Sequence, residues 1–224
     1  MDYRDLVNLD AYPIDAGGKT LEKRVNEAHA ALAVDGCAVL RAFLTPDGVE
    51  ALREEADKVA QFAHRSFNRT NAYFTQDDPT LPEGHPKRQF FDRSNAFVPA
   101  DNFAPNGPLR SVYDAPGFDN FIKSCLQEEN FHRYADPLAD VIVNAAEEGP
   151  GFPWHFDTNN FTVTLAIQNA EEGGAFEYAP AIRDNQGNEN FDDVAKVLDG
   201  TSDKVRRLDL RPGDLQLFRG RYSL

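Results

Sequence analysis

The sequence predicts an α+β protein with a mostly β core, an antiparallel barrel or jelly roll that N-terminal helices buttress on one sheet. Helical periodicity of apolar residues dominates the first 64 residues, whereas the second half carries short β-branched and aromatic runs separated by turn signals. Because these runs follow one another without alternating helices, antiparallel pairing is favoured over a parallel α/β sheet. A length of 224 residues is sufficient for one domain.

Composition and charge exclude several classes of function. The chain has 23 basic and 37 acidic residues and a formal net charge of −14, which repels phosphate backbones and anionic lipids, so we expect no binding to nucleic acid or membranes. No apolar run approaches the ~20 residues that span a bilayer, the first residues lack a signal-peptide pattern, and two cysteines are too few for a disulfide framework. We expect a cytoplasmic protein that acts on a small molecule. Formation of a homodimer is left as an open possibility.

Residues 1–72 are predicted to form the helical buttress. A helix over residues 20–34 leads into a short buried strand over residues 37–40. A second helix extends from Pro46 to about His64, with Thr45 as its N-cap.

The next segment, residues 73–116, is predicted to be a long loop that covers the active site. Six prolines between positions 79 and 108 exclude a regular helix or a central strand over most of it. Loops of this length are commonly functional.

Residues 117–224 are predicted to form a helix, over about residues 118–127, followed by the jelly-roll core. The expected strands cover residues 141–143, 154–157, 161–168, 176–178, 205–210 and 215–218, with a short helix near residues 192–198.

The sharpest local motif is Trp154-His155-Phe156-Asp157. Side chains alternate along a strand, so His155 and Asp157 are expected on one face and Phe156 on the other. With one more histidine from a neighbouring strand, the pair would complete the two-histidine, one-carboxylate arrangement of non-haem iron(II) oxygenases. A histidine and an aspartate at this spacing also occur by chance on protein surfaces.

The following strand supports a barrel wall. Residues 161, 163, 165 and 167 are apolar, whereas the alternating set is mostly polar and includes Thr162 and Thr164. One face therefore suits a core and the other a polar lumen, although a solvent-facing polar side is also common in antiparallel sheets.

Three segments resemble the Fe(II)/2-oxoglutarate-dependent oxygenases, and more narrowly the stand-alone amino-acid halogenases and their hydroxylase relatives. They are His155-Phe156-Asp157-Thr158-Asn159-Asn160-Phe161, Gly173-Gly174-Ala175-Phe176-Glu177-Tyr178-Ala179-Pro180 and Arg211-Pro212-Gly213-Asp214-Leu215-Gln216-Leu217-Phe218. The resemblance begins at about Tyr73. It implies a double-stranded β-helix of the cupin-like type, in a single oxygenase domain that covers residues 1–224.

This resemblance also implies Fe(II), 2-oxoglutarate and O2 as cofactor and co-substrates. In the halogenases the carboxylate position is a small residue, which leaves an iron site for chloride. Asp157 retains the carboxylate here, so hydroxylation is expected instead. The family places its distal histidine and its 2-oxoglutarate arginine after the segment that begins at Phe218, so we expect the sequence to stop before both.

No other histidine has the family position of the third ligand. The remaining four are predicted to have structural roles, although one in the proline-rich segment could approach the site: His29, His64, His85 and His132.

The sequence indicates the substrate-binding residues less clearly than it indicates the metal ligands. Arginine binds carboxylates bidentately, and the resemblance implies that an arginine of the covering loop holds the substrate carboxylate, with Arg93 as first choice and Arg88 as second. Both could equally be solvated. Thr158 and Asn160 are candidate substrate contacts, although Asn160 also suits a turn, and Thr164 is a candidate for the 2-oxoglutarate pocket.

The sequence therefore predicts a 2-oxoglutarate-dependent dioxygenase that hydroxylates an unactivated C–H bond of a small substrate, in particular a free amino acid. Two alternatives stay open. The same site could catalyse desaturation or another oxidation of a different small carboxylic acid, or the chain could be a non-catalytic jelly-roll binding protein with a vestigial metal pair.

Overall fold

The computed structural model describes residues 1–184 and 186–224. Six α-helices and eight strands occur in these ranges. The helices are α1 (Tyr3–Leu6), α2 (Lys19–Asp35), α3 (Pro46–Val59), α4 (Pro108–Tyr113), α5 (Phe118–Leu126) and α6 (Phe191–Leu198). The strands are β1 (Cys37–Leu40), β2 (His64–Thr70), β3 (Phe91–Val98), β4 (Val143–Asn144), β5 (Thr162–Leu165), β6 (Phe176–Tyr178), β7 (Arg206–Leu208) and β8 (Leu215–Phe218).

All strand pairs are antiparallel, as predicted, and they form three sheets with the orders β1-β8-β5, β2-β3-β4 and β6-β7. These sheets do not close into a barrel within the ranges described above. The α+β class is therefore observed, whereas the jelly roll stays a prediction.

Strand β8 organises the core because both of its faces are buried. On one face, Leu215 and Leu217 share a cluster with Leu40 of β1 and with apolar residues of α2 and α5. On the other face, Phe218 packs with Tyr178 of β6. The N-terminal helices thus buttress one side of the β1-β8-β5 sheet, as predicted, and the two-stranded β6-β7 sheet packs on the opposite side.

Local signals fixed several element boundaries. Thr45 Oγ1 accepts a hydrogen bond of 3.0 Å from the N–H of Gly48, so Thr45 is the N-cap of α3 as expected. Helix α2 ends where Gly36 adopts a left-handed conformation with φ of 63°. The predicted strands at residues 37–40, 176–178 and 215–218 match β1, β6 and β8 residue for residue.

The predicted end of the second helix was wrong, and the predicted loop over residues 73–116 is regular in part. Helix α3 ends at Val59 and is followed by a short 3-10 turn, and residues 64–70 form β2 instead of the helix end. Residues 73–116 are not irregular throughout, because β3 lies at the centre of the β2-β3-β4 sheet and α4 follows it. The prolines exclude neither element: Pro86 and Pro99 border β3 without interrupting it, and Pro108 occupies the first turn of α4, where proline is tolerated.

Candidate metal centre

The segment Trp154–Asp157 is not a strand of any sheet, which corrects the sequence-based prediction. Pro153, which precedes it, has no N–H to donate. The N–H of Phe156 donates to the carbonyl of Ala72 (3.0 Å) and the N–H of Asp157 donates to that of Gly220 (2.9 Å). The segment is therefore held by single bonds to two different parts of the chain, and no ladder forms.

The side-chain alternation expected of a strand is nevertheless present. Phe156 is 2% exposed, whereas the side chains of His155 and Asp157 are 26% and 24% exposed. The Nε2 atom of His155 lies 3.5 Å from Oδ1 of Asp157. The two predicted metal ligands thus converge at a partly open position.

A backbone carbonyl fixes the imidazole of His155. Its Nδ1 atom lies 2.7 Å from the carbonyl oxygen of Pro153. Because a carbonyl only accepts hydrogen bonds, Nδ1 carries a proton, and in the neutral ring the lone pair is on Nε2, which faces Asp157. Histidine ligands of metals commonly donate their second nitrogen to a carbonyl in this way.

The carboxylate of Asp157 is held on its far side. Its Oδ2 atom accepts a hydrogen bond of 2.7 Å from Oγ1 of Thr162, the first residue of β5. Burial opposes ionisation, but hydrogen bonds from His155, in its doubly protonated imidazolium form, and from Thr162 outweigh it and hold the pKa of Asp157 below its ordinary value. The group is therefore an anion at neutral pH.

Gly220 makes room for this carboxylate. A Cβ atom at position 220 would lie 2.0 Å from Oδ2 of Asp157 and 2.8 Å from its Cβ atom. Neither a role for Gly220 nor the hydrogen bond from Thr162 to Asp157 was predicted from the sequence. The available signals were weak: Thr162 opens the polar face of its strand, and Gly220 follows Phe218 in the last segment of the chain.

The donor chemistry of the pair fits a metal ion. With Nδ1 protonated, a neutral His155 directs a lone pair at the Asp157 carboxylate, so a positive charge between them, either a proton or a metal, relieves the repulsion. Two ligand atoms bound at right angles and about 2.1 Å from one ion would lie about 3 Å apart, close to the observed 3.5 Å. Within the ranges 1–184 and 186–224, no group of three or more His, Cys, Asp or Glu residues could hold a metal.

Arg93 lies beside this pair. Its guanidinium carbon is 5.6 Å from the ring centroid of Phe74 and 5.2 Å from that of Phe152, and both rings neighbour the imidazole of His155, at 5.3 and 6.3 Å between centroids. Its buried Nε atom has no hydrogen-bond partner in the described part of the chain, and burial lowers the pKa of Arg93. An arginine in this state suits an anionic ligand.

The other predicted substrate residues differ in their surroundings. Arg88 forms a salt bridge of 3.0 Å with Asp77 and donates a hydrogen bond of 3.0 Å to the carbonyl of Leu81. The side-chain oxygen of Asn160 accepts a hydrogen bond of 3.2 Å from Arg221, and Thr158 is exposed.

A cavity of about 1050 Å³ reaches Thr162, which contacts Asp157, although neither His155 nor Asp157 lines it. Its wall includes Thr162 and Thr164 of β5, residues of β4 and one side of α5. Thr162 therefore contacts both the cavity and Asp157. Thr164, the residue predicted for the 2-oxoglutarate pocket, lies in this wall, and its role stays a prediction.

The fold and the site together define a class: an α+β protein with antiparallel sheets and, beside the start of β5, a histidine–aspartate pair suited to a metal. The halogenase D family model matches residues 20–224, and the chain belongs to this family. It is accordingly an enzyme of the halogenase type, which carries out oxidative chemistry. None of the curated proteins compared matches the chain. Among the described residues, no helix combines the length and apolar character needed to cross a membrane.

Proposed function

We propose that the protein is a non-haem Fe(II)/2-oxoglutarate-dependent oxygenase that hydroxylates an unactivated C–H bond of a free amino acid. The observation that carries the proposal is that Nε2 of His155 faces Oδ1 of Asp157. The other ring nitrogen of His155 is held by the carbonyl of Pro153, and the other carboxylate oxygen of Asp157 is held by Thr162. The family supports an oxidative enzyme. Hydroxylation, rather than halogenation, is supported by the presence of Asp157, because the halogenases that the sequence resembles have a small residue at this position, which leaves an iron site for chloride.

The metal ligands, the residues that orient them and the cavity would each have a separate role. His155 and Asp157 bind Fe(II), and the metal with 2-oxoglutarate and O2 supplies the oxidation of the C–H bond. Pro153 and Thr162 orient the two ligands. The cavity beside Thr164 provides a volume for 2-oxoglutarate.

Arg93 is the candidate for binding the substrate carboxylate. Since its guanidinium lies between Phe74 and Phe152, which also contact His155, a bound carboxylate would hold the rest of the substrate near the metal. The two rings would exclude water, which strengthens an ion pair. Arg88 is the weaker candidate because Asp77 already engages it. Thr158 and Asn160 would contribute polar contacts to the substrate.

The test is to supply the purified protein with Fe(II), 2-oxoglutarate and each free amino acid, and to measure succinate and the product mass. We expect substrate-dependent succinate and a product with one added oxygen atom. His155→Ala and Asp157→Ala should abolish both, whereas His64→Gln, a histidine on exposed β2, should leave them unchanged. A chlorinated product without any alcohol would contradict hydroxylation.

A second candidate is a binding protein of the same fold without catalysis. It is favoured by one observation, that no third protein ligand accompanies the pair in the described ranges. Calorimetric titration with amino acids separates the two: binding without succinate formation, in the presence of Fe(II) and 2-oxoglutarate, would favour the binding protein.

A further inference from the structure

Arg183 is a charged residue packed behind the candidate metal pair. Phe156, which lies between the two ligands in sequence, points away from them into an apolar cluster with Ile182 and Val194. The guanidinium carbon of Arg183 lies 3.7 Å from the ring centroid of Phe156 and 5.1 Å from that of Tyr73. The cation therefore covers the ring of Phe156, the residue between the two ligands in sequence.

Polar contacts fix Arg183 in this position. Its Nε atom donates to Glu189 at 2.6 Å and its Nη1 atom donates to the carbonyl of Arg221 at 3.3 Å. Its backbone N–H donates to the carbonyl of Tyr222 at 3.0 Å. The segment that contains these two carbonyls also contains Gly220, whose carbonyl accepts the N–H of Asp157. Arg183 thus contacts both Phe156, which lies between the two ligands in sequence, and the segment that binds the N–H of Asp157.

We propose that Arg183 is a positioning residue that sets the orientation of His155 and Asp157 by fixing the ring of Phe156. The inference rests on the proposed metal role of the pair. Because Phe156 is buried on one side of the segment and the two ligands are partly exposed on the other, a displacement of the Phe156 ring that moves its backbone would also turn both ligands. The planar guanidinium can stack on a ring and donate in its plane to Glu189 at once, which a lysine ammonium cannot do.

Stability alone does not account for this arrangement. Removing a charged pair from water costs free energy, and well-packed apolar residues of similar volume are commonly as stabilising or more so. Arg183 and Glu189 are 20% and 33% exposed, so a methionine at position 183 could fill much of the same volume. A stacked guanidinium adds a defined ring orientation that an unbranched side chain does not impose.

The experiment compares Arg183→Met, Arg183→Lys and Glu189→Gln with a matched control. Arg24→Met is the control because Arg24 also covers a tyrosine ring, Tyr12 at 5.4 Å, and pairs with a glutamate, Glu27 at 3.0 Å, on the N-terminal helix α2. Three quantities are measured: the free energy of unfolding, the tautomer of His155 by nitrogen NMR at alkaline pH, and the affinity for cobalt(II) alone by its absorption spectrum.

In the unmodified protein we expect the Nδ1–H tautomer of His155. Arg183→Met and Arg183→Lys should give a mixture of tautomers and weaken cobalt binding by about 10-fold or more, whereas Arg24→Met should change neither. The proposal is overturned if the Arg183 variants lose only stability, as the control does, and keep the tautomer and the affinity. If Arg183→Met does not fold, Arg183→Lys and Glu189→Gln decide the question. Failure of the unmodified protein to bind cobalt would refute the proposed function, while the tautomer comparison would still decide the role of Arg183.

Discussion

The hydroxyl of Thr162 donates a hydrogen bond of 2.7 Å to Oδ2 of Asp157, and this bond leaves Oδ1 as the atom that faces His155. The contact joins the first residue of β5 to the candidate metal pair. Thr162 therefore determines which carboxylate oxygen is available to a metal.

Replacement of Thr162 by valine should weaken metal binding with little change in shape. Second-sphere partners of this kind are commonly worth 10–100-fold in metal affinity, so we expect a loss of about that size for cobalt(II) in a spectroscopic titration. Thr162→Ser, which keeps the hydroxyl, should restore most of the affinity. Equal affinity for the valine and serine variants would show that the hydrogen bond does not orient the carboxylate.

Replacement of Gly220 by alanine should force the Asp157 carboxylate to move, because the added Cβ would lie 2.0 Å from Oδ2. We expect a loss of cobalt affinity and a lower free energy of unfolding, by about 1–3 kcal/mol as for other overpacked sites. Asp157→Gly removes the colliding group, so Gly220→Ala should cost less in that background. A double-mutant cycle by denaturant unfolding checks this coupling, and additive effects would refute it.

Replacement of Arg93 by methionine should lower the activity without lowering the free energy of unfolding. The change removes a buried Nε donor that has no partner in the described residues, so the free energy of unfolding should stay the same or rise by about 1 kcal/mol. Substrate-dependent succinate formation should fall by at least about 10-fold, since the substrate carboxylate loses its bidentate partner.

Arg88→Met provides the comparison for this prediction. Because Arg88 pairs with Asp77, its loss should affect succinate formation less than the loss of Arg93. A larger effect at Arg88 would exchange the roles of the two arginines.

The free energy of unfolding should depend on pH in part through the raised pKa of Glu55. This residue of α3 accepts a hydrogen bond of 2.8 Å from the N–H of Leu109 at the start of α4. Burial raises its pKa above the ordinary 4.5, although the Leu109 N–H partly offsets the effect. A raised pKa in the folded state contributes stability that is complete below the unfolded pKa and is lost as pH rises through the folded pKa.

Glu55→Gln should therefore gain stability relative to the unmodified protein as pH increases above about 4.5. Glutamine can accept the same hydrogen bond without a charge. Denaturant unfolding at several pH values measures the difference. Glu54→Gln, on the exposed side of α3, is the control and should show a much smaller pH-dependent change. A parallel pH profile for Glu55→Gln and the unmodified protein would contradict the prediction.

Several strands in both halves of the chain were predicted because they carry strong local signals. The run Cys37-Ala38-Val39-Leu40 is apolar throughout, and β8 follows a proline–glycine turn. By contrast, β2 has the sequence His-Arg-Ser-Phe-Asn-Arg-Thr, in which no alternation of apolar residues marks a buried face. Its extended form comes from seven paired positions with β3, a long-range contact that no local pattern shows.

The histidine–aspartate pair was determined by sequence alone, because alternation along an extended chain places residues 155 and 157 on one side whether or not a sheet forms. Tertiary structure decided what surrounds it. Gly220 comes from a distant part of the chain, Thr162 lies five residues after Asp157 at the start of β5, and Arg183 reaches Phe156 only because separate segments pack together. Such contacts depend on distances between elements, and these are set by packing of the whole core rather than by the residues on either side of the motif.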